Sequence, residues 1–153
     1  MKDKTIRNIY LCSGTALVLC AIWALFMVIH FIQVFNGHNY IEWSSNSLLK
    51  IGLIAMYSFS TIVCVFLCIK IVLNTFKGLR NNTAFPQKNV GLLFWLALAF
   101  FFYLICRTNE PILYGDALLR FVPEIFLIPF CILFFAFMYK VAADAVEENN
   151  LTV

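Results

Sequence analysis

Asn74 to Asn89 reads NTFKGLRNNTAFPQKN, and its reading decides the fold. It is the longest polar interval of the chain, carries Lys77, Arg80 and Lys88, and contains Gly78 and Pro86. Two long apolar runs precede it and two follow. This arrangement predicts the central loop of an all-α membrane protein with four transmembrane helices.

The composition agrees. Of 153 residues, 63% are hydrophobic and 12% charged, with mean hydropathy +0.89. Soluble domains run at about 45–50% apolar and about 25% charged. A chain of this length cannot hide so much apolar surface in one small core, so lipid is its expected solvent. The reading is one integral membrane domain over 1–153, with helices at about 9–35, 48–73, 90–106 and 121–148 and a loop at 74–89.

Outward from the loop, each run has its own character. Ile9 to Phe35 carries no formal charge over 27 residues, longer than the roughly 20 needed to cross the hydrocarbon. It follows the basic start MKDKTIRN, but it exceeds the 7–15 apolar residues of a signal peptide, so it reads as a retained anchor. Ala16, Cys20 and Ala24 repeat every fourth residue, as do Ser60, Cys64 and Cys68 in the second run. Small residues at that spacing allow close helix approach, so the two stripes are expected to face each other. Asn36 to Ser47 has Gly37, Glu42, Tyr40 and Trp43 and no Lys or Arg, the composition of an outer loop whose rings lie at headgroup level. Lys50 and Lys70 are expected to snorkel from the ends of the second helix. Asn89 is a favoured residue type for capping the third helix. Arg107 to Arg120 forms a second outer loop broken by Pro111 and Gly115, with Glu110 and Asp116 opposing its arginines. In the fourth run, Phe126, Phe130, Phe134 and Phe137 form a stripe for lipid or a neighbouring helix, and Pro129 implies a kink.

Charge asymmetry orients the chain. Lys2, Lys4, Arg7, Lys70, Lys77, Arg80, Lys88 and Lys140 fall on one side, eight in all; Lys50, Arg107 and Arg120 make three on the other. The positive-inside rule then predicts both termini and the central loop in the cytoplasm, with helices 1–2 and 3–4 as two hairpins.

Candidate chemistry is sparse. The six cysteines, Cys12, Cys20, Cys64, Cys68, Cys106 and Cys131, lie in or beside apolar spans without C-x-x-C or zinc-type spacing, so neither metal nor cofactor is expected. His30 reads as an interfacial polar group. Glu124 is the one ionisable group that reads as a functional candidate within a span, with Arg120 four residues earlier as its partner. Asn81-Asn82-Thr83 and Asn150-Leu151-Thr152 match a glycosylation pattern but fall on the predicted cytoplasmic side. The tail carboxylates Asp144, Glu147 and Glu148 are expected to latch onto Lys77, Arg80 or Lys88.

The loop and the tail also carry a resemblance. Gly78, Phe85 and Asn89, with the ending Glu147-Glu148-Asn149-Asn150-Leu151-Thr152-Val153, resemble a family of small bacterial four-span membrane proteins catalogued only as a domain of unknown function. Here Gly78 and Phe85 stand further apart than in the family's short Gly-x-Pro-Phe form, and Pro86 follows the Phe. The resemblance implies a four-helix protein of the bacterial cytoplasmic (inner) membrane. It also implies a regulatory partner, because family members are often encoded beside a small helix-turn-helix regulator. It implies no activity.

Three readings follow. The first is a regulatory or adaptor protein that binds a cytoplasmic partner through Lys77, Arg80, Phe85, Lys88, Asn89, Glu147 and Glu148. The second is a small transporter or ion-coupled subunit using Glu124. The third, an enzyme, is not expected, because no base, nucleophile and orienting group can be placed together. Lipid is the first partner, a second copy of the chain is left open, and direct nucleic-acid binding is not expected.

Overall fold

The computed structural model describes residues 2–36, 41, 47–81, 83, 85–115 and 118–151. Gly37, Tyr40, Glu42 and Trp43 of the first outer loop, Asn82, Asp116, Thr152 and Val153 lie outside the described residues. Every regular element described is helical: α1 (Lys2–Phe35), α2 (Ser47–Arg80), α3 (Lys88–Thr108), a 3-10 turn (Glu110–Tyr114) and α4 (Glu124–Leu151). All four α-helices are long and apolar enough to cross a membrane.

α1 and α2 outrun their apolar segments. α1 begins at Lys2, because the polar start contains no Gly or Pro to stop it. α2 continues to Arg80, seven residues beyond the predicted Leu73. The Thr75 hydroxyl donates to the Ile71 carbonyl at 2.9 Å, and Lys77 and Arg80 lie in the last turn, where cations suit the helix dipole. The polar interval at 74–89 is therefore mostly helix, and the true joint is 81–87. α4 starts later than predicted. Pro123 pushes Val122 away from helical geometry; the Val122 carbonyl accepts from Ile125, and the Pro123 carbonyl accepts from Phe126 and Leu127.

Ring and polar contacts show how the helices run. Tyr10 meets Phe76 and Phe31 meets Tyr57 between α1 and α2; Tyr57 meets Tyr103 between α2 and α3; Phe94 meets Phe137 and Phe101 meets Phe126 between α3 and α4. In each pair of helices the numbers rise on one as they fall on the other, so neighbours are antiparallel. The start of α1, the 81–87 joint and the end of α4 share one end of the stack. The densest backbone packing is between α2 and α3, then α3 and α4, while α1 lies more loosely against α2.

The core follows from this order. Tyr57, Cys64 and Leu67 of α2 pack against Leu96, Ala99, Tyr103 and Cys106 of α3. The expected match of small-residue stripes holds only in part. Cys68 does meet Cys20, thiol to thiol. Ser60 and Cys64 are buried in the α2–α3 region instead, because the small side chains let α3 come closest. On α4 the buried positions are Ile125, Pro129, Ala136 and Ala143, a narrow face against α3, while Phe126, Phe130, Phe134 and Phe137 stay exposed at its flanks. Exposed rings on a membrane span face lipid at no cost.

Lys50 departs from expectation. It does not snorkel outward: it is 2% exposed, near the start of α2. Lys70 does stay exposed, its ammonium 5.5 Å above the Phe66 ring.

Two glycines are used for their missing side chain. Gly115 closes the 3-10 turn at φ 100, a left-handed conformation. At Gly78, a Cβ would sit 2.5 Å from the Thr83 carbonyl oxygen and 2.6 Å from Pro86 Cγ. Gly78→Ala is therefore expected to destabilise the folded protein by about 1–3 kcal/mol, read as a lower unfolding midpoint in detergent micelles. A short bifunctional thiol reagent is expected to bridge Cys20 and Cys68 and to leave Cys64 unreacted.

Candidate functional site

In a chain this apolar, buried polar groups locate what the fold has to hold. Ser60 and Thr61 are satisfied within α2 by the Tyr57 carbonyl and Lys50 lies near its start, whereas two buried asparagines stand at the two ends of α3.

At the joint end stands Asn89, fully buried. It is the second residue of α3; Gln87 takes the capping position and makes no side-chain capping bond. Asn89 does not cap its helix because its amide is engaged across the bundle. Its Oδ1 accepts from Asn74 Nδ2 at 3.0 Å. Its Nδ2 donates to the Ile71 carbonyl and the Thr75 hydroxyl, both at 3.1 Å, and to the Tyr139 hydroxyl at 3.2 Å. One side chain thus ties α2, α3 and α4 together.

The joint is built around that knot. Phe85 stacks edge-on against Tyr139 with centroids 5.4 Å apart, while keeping 38% of its surface exposed. Pro86 and Thr83 close over Gly78. Gln87 Nε2 donates to Asp144 Oδ1 at 2.6 Å, which joins the joint to the last turns of α4. The predicted latch between tail and loop is present at Asp144, but its partner is the amide of Gln87 rather than a cation. Around these contacts Lys77, Arg80, Lys88, Lys140, Glu147 and Glu148 are all exposed. Gly78, Phe85 and Asn89, the three motif residues of the loop, are packing and fastening residues, and Asn89 offers nothing to the surface.

At the other end of α3, Asn109 is also buried. Its Nδ2 donates to the carbonyls of Ile105, at 2.8 Å, and Arg120, at 3.2 Å; its Oδ1 accepts from the Arg120 amide at 2.8 Å. This pins the segment leading into α4 against the end of α3. Beside it, Glu110 divides its carboxylate: Oε2 accepts from Arg107 Nη1 at 2.6 Å, and Oε1 lies 3.1 Å from His30 Nε2 of α1. The His30 contact is close but lacks the alignment of a hydrogen bond. Arg107 also lies near the Tyr57 hydroxyl, which donates to Met27 Sδ at 3.9 Å. Glu124 stands apart from this cluster, exposed as the first residue of α4, where the helix dipole favours a carboxylate.

Among the described residues, no three His, Cys, Asp or Glu side chains converge as a metal ligand set. Sequence reasoning singled out Asn89 and His30 but missed their respective partners Tyr139 and Glu110, and it missed Asn109 and the Gln87–Asp144 contact. The available signal was placement: Asn89 and Asn109 bracket the third apolar run, and Tyr139 interrupts a Phe-rich one.

Compared with known proteins, the chain matches no protein-family model, no curated protein and no solved structure.

Asn89→Leu strands the groups that its amide holds on α2 and α4. It is expected to cost about 2 kcal/mol, and Tyr139→Phe, which removes a single hydroxyl, about 0.6 kcal/mol. Unfolding in mixed micelles at graded denaturing detergent checks both values and their order.

Proposed function

We propose that the chain is a bacterial inner-membrane protein with both termini and the 81–87 joint in the cytoplasm, its helices forming hairpins 1–2 and 3–4. In this reading it acts as a regulatory or adaptor protein, presenting the joint and the end of α4 to a soluble partner. The observation that supports the reading is the Gln87–Asp144 contact, which merges joint and tail into one surface. That surface mixes exposed cations (Lys77, Arg80, Lys88) with exposed carboxylates (Glu147, Glu148) and the half-open ring of Phe85. Headgroup binding alone would use the cations, each contributing about 1 kcal/mol. Carboxylates beside them suit a protein partner with charges of both signs. The family resemblance adds the class of partner to seek first, a small helix-turn-helix regulator.

The interior of the joint sets the rigidity of this surface. Asn89 and Gly78 hold it in one geometry, so a partner meets a preformed site and loses less ordering entropy on binding.

A photo-crosslinker placed at Arg80 in living cells is expected to capture a soluble protein. The same probe at Trp95, which faces outward in mid-span, is expected to capture lipid only. Lipid adducts alone at Arg80 would sink the adaptor reading.

A further inference from the structure

We propose that the groove between α1 and α2 binds one anionic phospholipid, with an acyl chain in the groove and the phosphate on Lys70. The groove has a volume of about 630 Å³ and is walled by Ala24, Val28 and Ile32 of α1 and by Ile62, Val65 and Ile69 of α2. That size lies within the about 300–1,000 Å³ usual for small-ligand sites. From Ser58 to Ile69 its α2 wall extends about 16 Å at the helical rise of about 1.5 Å per residue. This is about half of the hydrocarbon core, the depth that the acyl chains of one leaflet fill.

The walls suit a hydrocarbon chain. The Ser58 and Thr61 hydroxyls, which could have made the groove polar, donate to the Ile54 and Tyr57 carbonyls of their own helix, at 2.8 and 2.7 Å. Asn36 stands at the end of the groove away from Lys70.

Charge selects the headgroup. Phe66 is both part of the groove wall and the ring beneath the Lys70 ammonium, 5.5 Å away. The cation therefore stands at the groove's end nearest the joint, exposed. Helical side chains lean towards the helix N-terminus, and for α2 that is the end away from the joint. Lys70 accordingly lies back along the groove, over a residue one turn earlier, instead of reaching out to the aqueous boundary. At that depth an ammonium calls for an anion. Neither wall provides one: over 8–35 of α1 and throughout α2 there is no Asp or Glu. A phosphodiester whose own acyl chain fills the groove supplies it. A zwitterionic lipid carries the same phosphate but already pairs it with its own ammonium, so Lys70 favours the anionic one. The site is separate from the joint surface and does not depend on what that surface binds.

The test is native mass spectrometry of full-length protein released from nanodiscs of equal parts phosphatidylglycerol and phosphatidylethanolamine with identical acyl chains. One phosphatidylglycerol per chain is expected to be retained in preference to phosphatidylethanolamine. Lys70→Gln is expected to lower that preference about fivefold, the factor for one lysine at an anionic headgroup, and Lys70→Arg to keep it. Lys4→Gln, which removes an exposed cation at the same end of the stack, is expected to leave it unchanged. A diazirine in the acyl chain of phosphatidylglycerol is expected to label Val28, Ile62 and Val65 more than Trp95, which lies outside the groove. Equal retention of the two lipids, an unchanged preference in Lys70→Gln, an equal fall in Lys4→Gln, or labelling as strong at Trp95 would overturn the site.

Discussion

Two buried asparagines, at opposite ends of α3, fix the relation of α2, α3 and α4. In water, helices find each other because their apolar faces avoid solvent. In lipid that drive is gone, since an acyl chain covers a leucine as well as another leucine does. What remains is close packing of small residues and hydrogen bonds that have no other partner. Asn89 ties α3 to α2 and α4 at one end, and Asn109 ties the approach to α4 at the other. Between them, Cys64, Ala99 and Cys106 let α2 and α3 approach, and Pro129 and Ala136 do the same for α4. α3 is thus clamped on both flanks, and its neighbours inherit their positions from it.

The spans themselves were legible, because a long uncharged run has one physical interpretation in a chain this apolar. The bounds were less so. Hydropathy marks where lipid ends, whereas helices end where hydrogen bonding and sterics stop them, and so α2 runs through Asn74, Thr75 and Lys77 to Arg80. The site was legible as a place and not as a set of contacts. The 74–89 interval drew attention for its charge, but its organising residue is neutral, and an asparagine that caps a helix looks the same in sequence as one that turns inward. Lys50 illustrates the same gap: a lysine near a span end ordinarily snorkels, and only the folded chain shows it covered. The pairing of His30 with Glu110 needed two helices and a turn to be brought together across 80 positions.

The joint also separates scaffold from surface. Gly78, Asn89 and Tyr139 face inward and shape the joint, whereas Lys77, Arg80, Lys88 and Glu147 are exposed. The surface charges are thus free to vary without loosening the knot, while a change in the knot would distort every surface contact at once. The aromatic rings that hold α1 are spread along its length, by contrast, and no single one of them sets its position.

Lys50 has a consequence for how the protein is made. By length and composition α1 is apolar enough to cross a bilayer without help from other helices. α2 is different, since near its start it carries an ammonium that the finished fold encloses almost completely. An isolated α2 would expose that charge to lipid or hold it at the aqueous boundary, either of which is unlike its final state. If α2 enters a bilayer, covering that ammonium takes more of the fold than α2 alone.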